Sequence, residues 1–543
     1  MKNKIRLILF LCIVGNSINA QNGLTATEKL ASFGKIYGFL KYYHPEVAKG
    51  KFDWDKEFMN YLPQVVAATN KESLSKVYID WIESLGEIKK CKKCDSDENY
   101  FDKNFDLSWT QDTAIFTNDL SSKLKYIENN RNQGDNYYVS TEPIGYIKIT
   151  NEPIYEGIEY PTEEYRLLGL FKYWNTIEYF YPYKYLTDQD WDAVLKEMIP
   201  KIQNTLNKSD YQSTLKELVA KLDDSHAWIN FGDIANIKSL PVKISNIENQ
   251  AVISGFYNDS IADLNNLKLG DIILKINGSD VKSELEKKLK FVSGSNQNSK
   301  INKAYDYLFI GIEDAVKLTV ARNRDTLELT ANRYDFGVFN YLKNKKKTKL
   351  KSITENIGYI NMASDFIKKD IDDIFKSFEN KRAIIIDLRH YPQLKYNLFL
   401  RHLNSVKKEI YKAYDPSIHY PGNFIFRETL KTSASRKTYN GKVIILVNHE
   451  SLSRSEFTAM AFQTVDNAIT VGNKTVGTDG SNKMIEYMGG YKTAFTGTGI
   501  LYPDGTESQR KGVKIDVEIK PTINGLRQGR DEVLEKAIEI ANE

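Results

Sequence analysis

Ser453 stands in the stretch SLSRSEF, residues 451–457, after the apolar run KVIILV and before a helix-patterned segment. A buried strand that feeds a helix through a short turn exposes the turn residue at a sheet end, where α/β proteins place their sites. The helix start leaves unpaired backbone N–H groups and partial positive charge, suited to a developing oxyanion. A serine there becomes a nucleophile if a base takes its proton. The residues SRSE, 453–456, also form a Ser-x-x-Glu capping box, so Ser453 reads equally as a helix cap. The base must come from elsewhere in the chain, and histidine suits the task because it titrates near working pH. The six histidines are His44, His226, His390, His402, His419 and His449. His226, in DDSHA at 223–227, is a candidate base or a structural histidine near a helix end. His449, four residues before Ser453, and His390, after DLR, are rivals.

The elements that must position these residues begin with an internal repeat. FLKYYHPE (39–46) resembles TIEYFYPY (176–183), and DWDKEFMNYLPQVV (53–66) resembles DWDAVLKEMIPKIQ (190–203). The offset is constant: 182 − 45, 191 − 54 and 200 − 63 all equal 137. Apolar residues at helical spacing, broken by proline and DWD, predict two copies of one helical unit, at 21–94 and 161–234. Copy one ends in ESLGEIKK and copy two in AKLDDSHAWINF, so the copies diverge where His226 lies. Residues 95–160 read as an irregular, β-containing connector. From 235 to 333 the pattern is β-rich, and IADLNNLKLGDIILKINGSDV (261–281) looks like a PDZ domain, a module that captures peptide ends by strand addition. Residues 350–543 alternate buried strands with helices, which predicts an α/β domain covered on both faces. The expected fold class is thus multidomain, α+β and α/β.

Composition sets outer bounds. The 543 residues are 41% hydrophobic and 27% charged with net charge +4, ordinary globular values that point to neither a nucleic-acid nor a membrane partner. Residues 1–20, MKNKIRLILFLCIVGNSINA, combine a basic start, a short apolar run and small residues before Ala20, and read as a secretory signal peptide. No other long apolar run occurs, so the mature protein is expected to be soluble and exported, periplasmic or secreted. Cys91 and Cys94, in KKCKKCDSD, then read as a local structural disulfide.

The ordered motifs resemble those of the tail-specific, or C-terminal-processing, serine peptidases. SLSRSEF is similar to their SASASEI nucleophile segment. GYI, IIDLR and YPDGTESQRKGVKIDVEI (502–519) follow the family order after a helical region and a PDZ-like domain. The resemblance covers roughly residues 220–540 and implies a ClpP/crotonase-like α/β fold, with Ser453 as nucleophile. The family keeps a lysine base in GxxTxGKG, whereas GNKTVGTDG has Thr478 there. A neutral hydroxyl does not take a proton from serine near neutral pH. Tricorn-type relatives carry a histidine base in an upstream Ser-His pair, which DDSHA resembles. That implies His226 as base and Ser225 as its support. The tricorn-type pattern places an orienting glutamate near Gln509, and Glu507 is the nearest carboxylate, with Asp479 and Asp224 as alternatives. DLRHYPQL (387–394) lacks the family's Gly-Gly, so the oxyanion donors would be the backbone N–H of Ser453 with that of Tyr391 or Gln393.

The expectation is therefore an exported serine endopeptidase acting on unstructured peptides or protein C-terminal regions, with no metal or organic cofactor. The alternatives are a non-catalytic ligand- or peptide-binding protein on the same fold and a hydrolase of a non-peptide ester or amide.

Overall fold

The computed structural model describes residues 23–92, 94, 99–142, 146–232, 236–339 and 349–543. The expected signal segment lies outside the described residues.

Helices Ala26–Tyr43, Trp54–Ala67 and Lys71–Ser84 are followed by Glu163–Phe180, Trp191–Gln203 and Lys208–Ala220, each starting 137 residues after its counterpart (163 − 26, 191 − 54, 208 − 71). Local chemistry sets the starts: Thr25, Asp53 and Asp190 each accept a first-turn backbone N–H through the side chain. In both sets a tryptophan at the start of the second helix ties down the first. Trp54 Nε1 donates to Tyr37 O at 3.2 Å, and Trp191 Nε1 to Trp174 O at 3.1 Å. The two long helices cross closely because Gly34 and Gly38 lack side chains. A Cβ on Gly38 would lie 1.8 Å from Asn175 Oδ1, and Asn175 Nδ2 donates to Gly34 O at 2.8 Å. The connector holds a hairpin, Val139–Thr141 with Ile147–Ile149, and also a helix, Asn118–Asn129, that the sequence reading treated as irregular. Thr117 caps that helix, and Leu120, Leu124 and Ile127 bury one stripe of it. Cys91 and Cys94 are disulfide-bonded.

The middle module is a six-stranded sheet, including Val242–Ile247, Gln250–Phe256, Ile272–Ile276, Ala315–Arg322 and Asp325–Asn332. The helix Gln297–Phe309 packs along its Val242–Ile247 edge.

The last domain has a six-stranded sheet in the order Leu350–Thr354, Ile357–Asn361, Ala383–Asp387, Lys442–Val447, Ala468–Gly472 and Val517–Glu518, with all neighbours parallel except the first pair. The helices Lys368–Ser377 and Arg454–Phe462 cover one face, and Glu532–Asn542 the other. Both faces are buried, which is why its strands read as unbroken apolar runs.

Two strand pairings lock the parts together. Tyr100–Phe101 of the connector pairs with Phe424–Phe426. Trp228–Asn230, just beyond DDSHA, adds to the hairpin Asn482–Tyr487/Tyr491–Thr496. The helical layer shares one core with Tyr414, Phe424, Phe495 and Leu501 of the last domain.

Candidate active site

Ser453 occupies the sharp turn between Lys442–Val447 and Arg454–Phe462, with φ 50° and ψ −111°. A non-glycine residue in this left-handed region is strained, and such strain clusters at functional turns. The surrounding loop holds the strain in place. Ser451 Oγ donates to Leu388 O at 3.0 Å, and Ser451 O accepts from Val476 N at 3.0 Å. Glu456, expected as half of a capping box, is fully buried and organises the opposite loop. It accepts from Thr475 Oγ1 (2.5 Å), Gly477 N (2.6 Å), Thr478 N (3.0 Å) and Ser453 N (3.1 Å). Burial pushes the Glu456 carboxyl up to about 8, against those donors. The Ser453 N–H to Glu456 contact is the reciprocal half of the SRSE capping box, while Ser453 Oγ donates no hydrogen bond among the described residues, so its proton is not engaged. Gly477 and Gly480 turn the facing loop at φ 71° and 95°; side chains there would strike the backbone of Arg510 and of Thr498.

His226 reaches this region from another part of the chain. The register Trp228↔Ala494 and Ile229↔Thr493, continued two residues, sets His226 opposite Thr496. The side chains meet there: His226 Nδ1 and Thr496 Oγ1 are 2.9 Å apart. Thr496 Oγ1 donates to Asp224 Oδ1 at 3.0 Å, so it accepts from Nδ1–H. The imidazole then carries its proton on Nδ1 and presents Nε2 as the basic nitrogen. The fully buried Asp224 is the hub. Its carboxylate also accepts from Thr496 N (2.8 Å), His226 N (3.1 Å) and Thr478 Oγ1 (2.8 Å). Thr478 O in turn accepts from Ser453 N at 2.9 Å. Thus the residue standing in the lysine position links the turn of Ser453 to the loop of His226. Burial holds His226 below the usual histidine range; Asp224 opposes this and Lys303 reinforces it.

The other sequence candidates lie as follows. Among the described residues no hydrogen bond joins Ser225 to the imidazole: its Oγ accepts from Ser295 N at 2.8 Å and its N–H donates to Ser295 Oγ at 2.8 Å. Among the described residues no hydrogen bond joins Glu507 to His226. One oxygen of Glu507 pairs with Lys103 at 3.2 Å and the other is buried without a partner. Gln509 comes closer to the hub, with Nε2 3.5 Å from Asp224 Oδ1. Asp479 is buried beside the loop, where burial pushes its carboxyl up to about 7. Of the expected oxyanion donors, Ser453 N–H is committed to Thr478 O and Glu456, and Gln393 N–H to Met362 O at 3.1 Å; Tyr391 is exposed. Three of the other histidines, including the rival His449, have these contacts. His44 caps a short helix through Nδ1, His402 pairs with Asp372, and His449 lies near Glu450. Thr496 escaped the sequence reading because threonine carries no catalytic signature; only the strand register finds it.

Residues 356–519 match Peptidase family S41. Ser453, Thr478, Thr496 and Glu507 fall inside that span, and Ser225 and His226 outside it. A "Probable CtpA-like serine protease" of Staphylococcus haemolyticus (strain JCSC1435) is 26% identical over 275 residues, 50% of each chain. One of Staphylococcus aureus (strain COL) is 25% identical over 346 residues, 62% of each chain. The chain thus spans between half and just under two thirds of these relatives' length. Among solved structures, mature CPAF complexed with lactacystin matches with a TM-score of 0.56 at 15% identity, over 70% of this chain and 98% of that one, a likeness of fold. Among the described residues no helix is long and apolar enough to cross a membrane.

Proposed function

We propose that this chain, whose residues 356–519 are a peptidase family S41 domain, is a serine-type peptidase with Ser453 as nucleophile and His226 as general base. One observation carries it: a continuous hydrogen-bonded path runs from the Ser453 backbone through Thr478, Asp224 and Thr496 to the imidazole. The path joins residues 227 positions apart (453 − 226), and its Thr496 end fixes the tautomer a base needs.

In the reaction, Ser453 Oγ attacks the peptide carbonyl as its proton passes to His226 Nε2. The carbonyl π electrons move to oxygen, and the anion rests against the start of Arg454–Phe462. As that oxygen reforms the carbonyl, the C–N bond breaks. The imidazolium gives its proton to the departing amine, leaving an acyl-enzyme. Water, deprotonated by the same imidazole, attacks the ester; the acyl C–Oγ bond breaks, the imidazolium returns its proton to Ser453 Oγ, and the carboxylic acid product leaves. Turnover requires the Ser453 N–H to leave Thr478 O and face the oxyanion. Ser225 supports the base at one remove, by holding its loop. The substrates are unstructured peptides or protein C-terminal regions, presented by the PDZ-like module, and the protein acts after export.

A fluorophosphonate probe tests this. Labelling in the wild-type chain that disappears in Ser453→Ala and falls steeply in His226→Ala supports the peptidase. A second reading, a ligand-binding protein without turnover, is favoured by the commitment of Ser453 N–H and Gln393 N–H to other acceptors. It predicts no labelling in any variant.

A further inference from the structure

Resting on His226 as base, we infer that Lys303, on the middle module's helix Gln297–Phe309, is a positioning residue that clamps the base loop and sets the charge beside the imidazole. Its Nζ donates to Ala227 O at 3.0 Å and lies 3.4 Å from Ser225 O, so one ammonium grips carbonyls on both sides of His226.

The clamp is part of a larger brace built by residues 293–303. Ser293 Oγ donates to Asp224 O at 2.7 Å. Ser295 and Ser225 exchange two reciprocal hydrogen bonds, both 2.8 Å. Asn296 Nδ2 reaches across to Thr475 O and Val476 O, at 2.9 and 2.8 Å, on the loop facing Ser453. One segment of the middle module therefore holds both halves of the proposed site. Within this brace Ser293, Ser295 and Asn296 are neutral, and Lys303 brings the charge.

The charge has a purpose that a neutral donor would not serve. Asp224 and Lys303 are the charged groups acting on His226: Asp224 favours the imidazolium and Lys303 opposes it. Burial draws the Lys303 ammonium below the usual lysine range, and Asp224 and Asp306 work to keep it charged. A base that rests as imidazolium cannot accept the serine proton, so a cation offsetting Asp224 keeps Nε2 available at mildly acidic pH.

The test titrates His226 by NMR in chain labelled at histidine 13Cε1, its signal identified by loss in His226→Gln. Lys303→Gln keeps a donor but removes the charge, and should raise the midpoint by about half a pH unit or more. Lys303→Arg should leave the midpoint near the wild-type value. Where the wild type cleaves a fluorogenic peptide, the acidic limb of kcat/KM should shift with the midpoint and return with Lys303→Arg. An unmoved midpoint in folded Lys303→Gln, or in Lys303→Met should the first variant not fold, overturns the role of Lys303. Because the titration needs no catalysis, an unlabelled wild type under fluorophosphonate would end the peptidase reading while still leaving the Lys303 effect measured.

Discussion

His226, two residues before the strand Trp228–Asn230, and Thr496, the last residue of the antiparallel strand Tyr491–Thr496, meet with Nδ1 and Oγ1 2.9 Å apart. With His226 as the proposed base, the contact would take the place that a carboxylate holds in a Ser-His-Asp triad, and Asp224 sits one step behind it, bonded to Thr496 at 3.0 Å. A hydroxyl that passes its own hydrogen to Asp224 can only accept from the imidazole, so it selects the tautomer. Thr496→Val keeps the shape and loses that selection. Its kcat should fall on the order of tenfold to a hundredfold with KM little changed, whereas Thr496→Ser should stay close to wild type. Steady-state cleavage of a fluorogenic peptide separates the two variants.

The pH–rate profile follows from the environment of His226. Burial disfavours the imidazolium, Asp224 partly restores it, and Lys303 lowers it again, with the net direction downward. A general base works only when neutral, so activity is lost as pH falls through its folded value. The acidic limb of kcat/KM should therefore lie below the ordinary histidine value of about 6.5. A limb well above that value would show that a different group is the base.

Glu507 provides a contrasting expectation. It is within two residues of Gln509 in sequence, yet it pairs with Lys103 of the connector. Glu507→Gln should change kcat/KM by less than about threefold, since its hydrogen bond among the described residues goes to Lys103. A loss near that of His226→Ala would put this carboxylate back beside the imidazole.

Which parts were legible follows from the kind of signal each left. Unbroken apolar strands and the helix-patterned segment after Ser453 announce an α/β sheet with a residue at its edge, and the 137-residue offset announces paired helices before any coordinate is known. DDSHA stands out because the first copy has GEIKK, residues 86–90, at the same offset (223 − 137 = 86). Thr496, Lys303 and the hub role of Asp224 were hidden for one shared reason: each acts through a contact whose partner lies far away in sequence. Thr496 needs the Trp228–Asn230 pairing, and Lys303 needs the middle module to lie against the base loop. The helix Asn118–Asn129 was missed because its polar residues outweigh a narrow apolar stripe. Glu456 makes the capping-box contact with Ser453 N that SRSE predicts, but the sequence gives no sign that its other three donors come from residues 475–478.

Asp479 makes stability itself depend on pH. Its Oδ1 accepts from Gly480 N at 2.7 Å, and its Oδ2 is buried without a partner. Burial pushes the carboxyl up to about 7, from an unfolded value of 3.8. The sign follows from proton counting. Below the unfolded value both states are protonated and the group costs nothing. As pH rises, the unfolded chain releases its proton first, so stability falls through the window up to about 7 and the loss is complete above it. Asp479→Asn keeps an acceptor for Gly480 and cannot ionise. The variant should match the wild type near pH 4 and exceed it near pH 8 by roughly 1–3 kcal/mol, read as a higher Tm. Parallel melting profiles across that range would falsify the assignment of a buried, unpaired carboxyl beside the Ser453 loop.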